Sequence, residues 1–323
     1  MKSADCNPLT SCFRFWRVRH QSIVESADSV IVGKKLYCIG EKLVTGRFSS
    51  TYIARESTDG SRVYLFKEKD CDSEESIALF RKERALMEGL NNNRNVIILM
   101  GFRENDTRKW FMLLEYYINR DLGRMLESLR ETGTLTSEKM WSYIVNLCSG
   151  LRGVHDNSYA HCVLNMKNIL VNGIGQLVIS DFENAFLLPG GAGKAAESLS
   201  YRTDDRDTLE YRSPELLNPD RETSLTVMTD TWSLGCVLYT MMWSRSPFSH
   251  VEGGVEELAA ALKNPKIDFT TDDSFPYDNK LVEEIEKMLV LTPKDRLSAA
   301  NLGEQVDDFL KKKAGPSTGG SRS

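Results

Sequence analysis

The side chains best suited to chemistry gather in two short stretches. They are His161-Cys162-Val163-Leu164-Asn165-Met166-Lys167-Asn168 and Ser180-Asp181-Phe182-Glu183. Asn168 and Asp181 carry amide and carboxylate oxygens, which accept hydrogen bonds. Val163, at the centre of the first stretch, has no lone pair, so it can neither accept a proton nor orient a hydroxyl. Other chemistries lack their residues. The chain has only 4 histidines, and they form no metal or nucleophilic cluster. Its 7 cysteines are scattered and odd in number, with no C-x-x-C pair. That pattern favours reduced thiols in a cytoplasmic or nuclear setting over a disulfide framework.

The bulk numbers narrow the class. A length of 323 residues suits one two-lobed domain with short extensions, and 41% hydrophobic residues supply a sizeable core. A formal net charge of -5 argues against broad nucleic-acid binding. No apolar run is long enough to span a bilayer, and the N-terminus has no apolar signal-peptide core. Phe13 to His20 (FRFWRVRH) is basic and aromatic. It reads as an arm packed on the domain surface, or as a contact for a partner or a membrane surface.

The elements that must position the two stretches follow from periodicity. From Lys35 to Asp70, β-branched and aromatic residues alternate between turn signals such as Asp59-Gly60, which predicts strands. Ile77, Phe80, Leu86 and Leu90 recur at helical spacing. NVIILMGF and KWFMLLEYY then read as two more strands. After Asn119 the character turns helical, beginning with LTSEKMWSYIVNLCSGLRGVH, for which Thr136 or Ser137 is the N-cap.

The stretch from His161 to Asn168 resembles the protein-kinase catalytic loop, H-R-D-L-x-x-x-N, with Val163 in place of the Asp. Ser180-Asp181-Phe182-Glu183 resembles the D-F-G element, with Glu183 for the Gly. Thr208-Leu209-Glu210-Tyr211-Arg212-Ser213-Pro214-Glu215 is similar to the end of a serine/threonine-type activation segment. Asp230-Thr231-Trp232-Ser233-Leu234-Gly235 is similar to the central D-x-W-S-x-G helix. The resemblance spans roughly Leu36 to Asp308. It implies an α+β, bilobal protein-kinase-like fold over 35–310, with a small β-rich N-lobe (about 35–116) and a larger helical C-lobe (about 120–310). An N-terminal extension (1–34) and a disordered basic tail (311–323) flank it.

The resemblance also assigns roles. Lys67 would contact nucleotide phosphates and Glu83 would be its helical partner. Leu43-Val44-Thr45-Gly46-Arg47-Phe48-Ser49 stands where a G-x-G-x-x-G phosphate loop belongs, and only Gly46 of the three glycines remains. Leu65 and Leu170 would flank the adenine, with Leu114 as gatekeeper and Glu115 to Tyr117 opening the hinge. Asn168 and Asp181 would hold magnesium. Leu65 replaces a smaller residue, and overpacking of that kind costs about 1–3 kcal/mol, so ATP and magnesium are expected to bind weakly or not at all. Cys162 replaces the Arg that reads a phosphorylated activation segment in many kinases. Asn165 replaces the Lys that contacts the γ-phosphate, which would leave Thr208 without its usual partners. Glu215 would pair with Arg296. His161, Phe182, Met87 and Asp230 would stack as a structural spine, and His155 would be a buried helix-end residue.

Losing a positioned base slows proton transfer by about 10²–10⁴-fold. With Val163, Asn165 and Cys162 as degenerate positions, the resemblance implies a pseudokinase and not an enzyme, residual activity aside. Its role would be that of a scaffold or allosteric partner of other proteins, an active kinase or a signalling complex among them. Two alternatives stay open: a nucleotide-binding switch without turnover, and an active kinase whose chemistry has moved to Asp204, Asp205 or Asp207.

Overall fold

Alternation along one strand sets the layout of the first unit. In Val63–Asp70, Tyr64 and Phe66 are buried on one face while Leu65 and Lys67 stand on the other, because successive strand side chains point to opposite sides. The protein is seen in a computed structural model that describes residues 29–45, 49–104, 108–118, 121–191, 194, 206–218 and 224–314. It is an α+β fold that divides into two units. One takes in the chain up to Phe80 together with Leu99–Tyr116, and the other takes in Arg81–Ile98 and the chain from Tyr117 onward.

In the first unit, β1 (Ser29–Val32), β2 (Lys35–Thr45), β3 (Ser49–Glu56), β4 (Val63–Asp70), β5 (Leu99–Arg103) and β6 (Lys109–Glu115) form one antiparallel sheet in the order β1-β2-β3-β4-β6-β5. Its core holds Val32, Tyr37, Ala54, Tyr64, Phe66, Phe111 and Leu113. The Tyr37 and Tyr64 rings meet edge-on at 5.4 Å, a favoured aromatic geometry. β1 begins six residues before Lys35, so the sheet starts inside the span that the sequence assigns to an extension. The predicted β3–β4 turn is present, closed by Arg62 N–H donating to the Asp59 carbonyl at 3.2 Å.

The helix α1 (Glu74–Leu90) buries Phe80, Leu86, Met87 and Leu90, and Phe80 packs edge-on against Trp110 at 5.2 Å. The strand predicted over NVIILMGF is shorter than expected. Residues before Leu99 leave the sheet and pair with β9 (Leu177–Ile179) instead, Ile97 N–H donating to the Ile179 carbonyl at 2.9 Å.

The second unit is mostly helical: α2 (Leu122–Glu131), α3 (Ser137–Asp156), α4 (Arg206–Leu209), α5 (Pro214–Leu217), α6 (Met228–Trp243), α7 (Val255–Ala261), α8 (Asn279–Met288) and α9 (Ala299–Ala314). The short strand β7 (Tyr159–Ala160) pairs with β10 (Phe186–Leu187), β8 (Ile169–Val171) with β9, and β11 (Gly190–Gly191) with β12 (Ser224–Leu225). Thr136 caps α3 by accepting from Lys139 N–H at 3.3 Å. Gly150 lets α3 approach closely, since a Cβ there would meet the Asn95 carbonyl oxygen at 2.7 Å. The last helix runs to Ala314, which corrects the expectation of disorder from residue 311: its apolar positions Leu302 and Val306 are buried and anchor it. No described helix is long and apolar enough to cross a membrane.

Candidate functional site

The first stretch folds into a tightly held loop of the second unit. Asp230, in the first turn of α6, is fully buried. Its Oδ2 accepts from His161 N–H at 2.8 Å and its Oδ1 from Cys162 N–H at 2.8 Å. His155 Nε2 lies 2.8 Å from Oδ2. Burial pushes the Asp230 carboxyl up, but the hydrogen bond and charge of His155, with smaller contributions from His161, outweigh it and hold the carboxyl below its ordinary value. His155 is therefore more than the buried helix-end residue expected from its apolar context: it braces the carboxylate that braces the loop.

His161 and Phe182 are both fully buried, with ring centroids 5.2 Å apart. Cys162 takes φ +67° and Asp181 φ +66°, a left-handed conformation that is uncommon for residues other than glycine and that concentrates at functional sites. Asn165, where the family has Lys, turns inward. Its Oδ1 accepts from Lys167 N–H at 2.9 Å and Asn168 N–H at 3.0 Å. Its Nδ2 reaches Thr208 Oγ1 at 3.5 Å, so Thr208 keeps a contact at position 165, contrary to expectation.

Val163 is only 5% exposed and packs in a cluster with Ala160, Cys162, Leu216 and Leu225, against Phe186 and Leu188. Its carbonyl accepts from Asn168 Nδ2 at 2.9 Å. The loop therefore keeps its hydrogen-bonded frame around a side chain that has become part of an apolar core. Burial raises the Cys162 thiol pKa well above its ordinary value, with the Asp230 charge adding to the effect, so this sulfur stays an unreactive thiol.

The two residues that the resemblance assigns to magnesium are brought together by the β8–β9 ribbon. Ile169 pairs with Ile179, so Asn168 just before β8 and Asp181 just after β9 fall at the same end. The Asn168 carbonyl accepts from Ser180 N–H at 2.9 Å and from Ser180 Oγ at 3.0 Å, which fixes the residue ahead of Asp181. An amide and a carboxylate at one ribbon end are the hard oxygen donors that magnesium takes. Leu170 is half-buried and bridges to Asp121. Tyr117 is buried.

The remaining assigned residues are distributed along α1 and the sheet. Lys67 pairs with Thr51 and Met112, and Leu65 with Ile53 and Leu114, so Leu65, Lys67, Met112 and Leu114 share one face. Lys67 is 8% exposed and Glu83 on α1 is 1% exposed. Glu115 ends β6 opposite Tyr64. Leu43 and Val44 are exposed on β2. Gly46 lies outside the described residues, as do the arm over Phe13–His20, Ser198, Ser200, Thr203, Asp204, Asp205 and residues 315–323. Asp207 stands in the short helix α4.

The segment from Thr208 to Glu215 is anchored from below. Arg296 grips Glu215 through two hydrogen bonds of 2.8 and 2.9 Å and also donates to the carbonyls of Met228, Val290 and Leu291. Its guanidinium lies 5.0 Å over the Trp232 ring. This pair matches the expectation from the resemblance. Two features escaped the sequence reading, the His155–Asp230 contact and the burial of Arg212, because each depends on partners 50 or more residues away in the chain.

Comparison with known proteins bears on what this arrangement does. A family model described as protein kinase domain matches residues 37–306. Serine/threonine-protein kinase 16 of Rattus norvegicus is 29% identical over 283 residues, covering 86% of this chain and 91% of that protein; its Homo sapiens counterpart is likewise 29% identical. Serine/threonine-protein kinase PKH1 of Saccharomyces cerevisiae is 26% identical over 284 residues, covering 83% of this chain and 34% of that protein. These relatives are named as enzymes, and that corrects the expectation that the chain is not one. The physical reason is that phosphoryl transfer rests mainly on positioning and electrostatics, so a missing base lowers a rate without removing the reaction.

Proposed function

The chain belongs to the protein kinase family, and on that premise we propose that it is a slow serine/threonine-type kinase that holds a magnesium nucleotide weakly and acts within a protein signalling complex. One observation carries this reading: the catalytic-loop backbone keeps its frame on Asp230 and Asn168 while Val163 occupies the position of the base. The nucleotide supplies the phosphoryl group when bound. Lys67 would meet its phosphates, and Asn168 and Asp181 would hold the magnesium. Asn165 steadies the loop through its two backbone contacts. Val163 takes no proton, so the hydroxyl of the protein substrate must lose its proton without a side-chain base at this position. With ordinary kinases turning over at about 1–100 s⁻¹ and a base contributing about 10²–10⁴-fold, the expected rate is about 10⁻⁴–1 s⁻¹.

Thermal unfolding with ATP, with and without magnesium, tests the nucleotide part of the reading. At ten times Kd a ligand of the native state adds about 1.4 kcal/mol, or about 3–6 °C for a domain of this size. A rise that requires magnesium and disappears in Asp181→Asn is expected. A rise indifferent to magnesium would refute the metal assignment, and the absence of any rise at millimolar ATP would refute nucleotide binding.

A further inference from the structure

Position 163 sits under a cover made by the chain that follows Asp181. Val163 is 5% exposed and forms a buried apolar cluster with Ala160, Cys162, Leu216 and Leu225. Phe186 and Leu188 are half-buried and pack against that cluster, so they stand between it and solvent. Leu187 between them is 54% exposed, as alternation along an extended chain requires. Backbone pairing pins this stretch at both ends. Phe186 pairs with Ala160 and Leu187 with Tyr159, and Leu188 N–H donates to the Ser158 carbonyl at 2.7 Å. Gly190 and Gly191 pair with Leu225 and Ser224. A Cβ at Gly190 would run into the Phe186 ring, so a residue without one lets the chain fold back this closely. The far pin is weak. β11 and β12 have 2 residues each, and a two-stranded ribbon is marginal by itself. Elements with few buried contacts open locally while the rest of a domain stays folded.

We infer that residues 186–191 are a latch closed over the catalytic loop, and that the latch must lift before an acceptor hydroxyl can reach position 163. A side chain that acts on an acceptor lies within about 2.6–3.2 Å of it. One that is 5% exposed is not approached so closely from solvent while the cover is down. The latch grips the cluster to which Val163 belongs, so the residue that removes the base also extends the apolar surface that holds the cover. The access half of this inference rests on the kinase reading above; the latch itself does not.

Native cysteines report on the latch directly. Cys162 lies in the cluster beneath it and is 1% exposed. Cys148 in α3 and Cys236 in α6 are also buried, but they open only with those helices. The experiment follows alkylation of each thiol by iodoacetamide under native conditions, read by mass spectrometry. It compares the wild type, Leu188→Ala, Gly190→Ala and the exposed-side control Leu187→Ala. Cys162 is expected to react about tenfold faster or more in Leu188→Ala and Gly190→Ala. Cys148 and Cys236 keep their wild-type rates, and Leu187→Ala changes nothing. A Cys162 rate unchanged in both variants, or rising only in step with Cys148 and Cys236, overturns the latch. Should Leu188→Ala fail to fold, Gly190→Ala decides alone. Single-turnover transfer from γ-labelled ATP to a serine/threonine peptide should rise about threefold or more in the variants that open the latch, because the rate scales with the competent fraction. Faster labelling with measurable but unchanged transfer overturns the access claim. Transfer absent from every protein refutes the kinase reading instead, and the labelling still decides the latch.

Discussion

Returning a carboxylate to position 163 should speed the chemistry and weaken the fold at once. Val163 is 5% exposed among Ala160, Cys162, Leu216, Leu225, Phe186 and Leu188. Trimming it to Ala removes two carbons of buried surface, about 2 kcal/mol with the residual cavity. Val163→Asp removes the same packing and sets an ionised group among apolar neighbours, for a total of about 3–5 kcal/mol at neutral pH. At about 2–4 °C per kcal/mol, the midpoint should fall by about 6–20 °C. Desolvation by these neighbours raises the folded pKa of the new carboxyl above its unfolded value of about 3.9. The charge penalty is then full above the folded pKa and vanishes below the unfolded one. The gap between Val163→Asp and wild type should therefore narrow as pH falls from 7 toward 4, while the gap for Val163→Ala stays constant. Unfolding of the three proteins followed by near-ultraviolet circular dichroism across that range is the assay. A Val163→Asp protein as stable as wild type at pH 7, or a gap that does not depend on pH, would refute the claim that position 163 is enclosed in a core. Per folded molecule, phosphoryl transfer by Val163→Asp should exceed wild type by at least tenfold.

Asp230→Asn should cost about 3–5 kcal/mol at pH 7, because it breaks a buried charge network. Since the Asp230 pKa is lowered in the fold, its ionisation stabilises above the unfolded value near 3.9 and that contribution is lost as pH falls through the folded pKa; the variant's deficit, read from urea unfolding, should shrink below pH 4. Glu215→Ala strands the fully buried guanidinium of Arg296 and should lower the midpoint by about 6–20 °C, whereas a loss under 2 °C would mean that the three carbonyl contacts suffice. Leu65→Ala should tighten ATP binding by about 5–150-fold, the equivalent of 1–3 kcal/mol of relieved overpacking; unchanged affinity by calorimetry would remove Leu65 from the nucleotide contacts.

Elements with local signals were legible in the sequence. The alternation of Tyr64, Leu65, Phe66 and Lys67 fixed both the strand and its faces, and Thr136 capped the helix that its apolar period announced. Long-range competition accounts for what was missed. Val96 and Ile97 have strand character, yet they pair with the buried strand β9 and not with the sheet. Val163 was readable as the loss of a base, but the cluster that encloses it joins residues from 160 to 225, and no local pattern announces that. Asn165 was readable only as a missing Lys, although its short amide side chain had a second capacity, an Asx-type turn closed by backbone N–H groups. The missing base at position 163 is visible in the local sequence, whereas the frame that stays around it is held by Asp230, almost 70 residues away, and is not.

Single-turnover phosphoryl transfer from γ-labelled ATP to a serine/threonine peptide, for wild type and Lys67→Met, tests the central claim most directly. The account predicts transfer slower than about 1 s⁻¹ in the wild type and its loss in Lys67→Met. A rate of tens per second, or transfer that does not depend on Lys67, would contradict it.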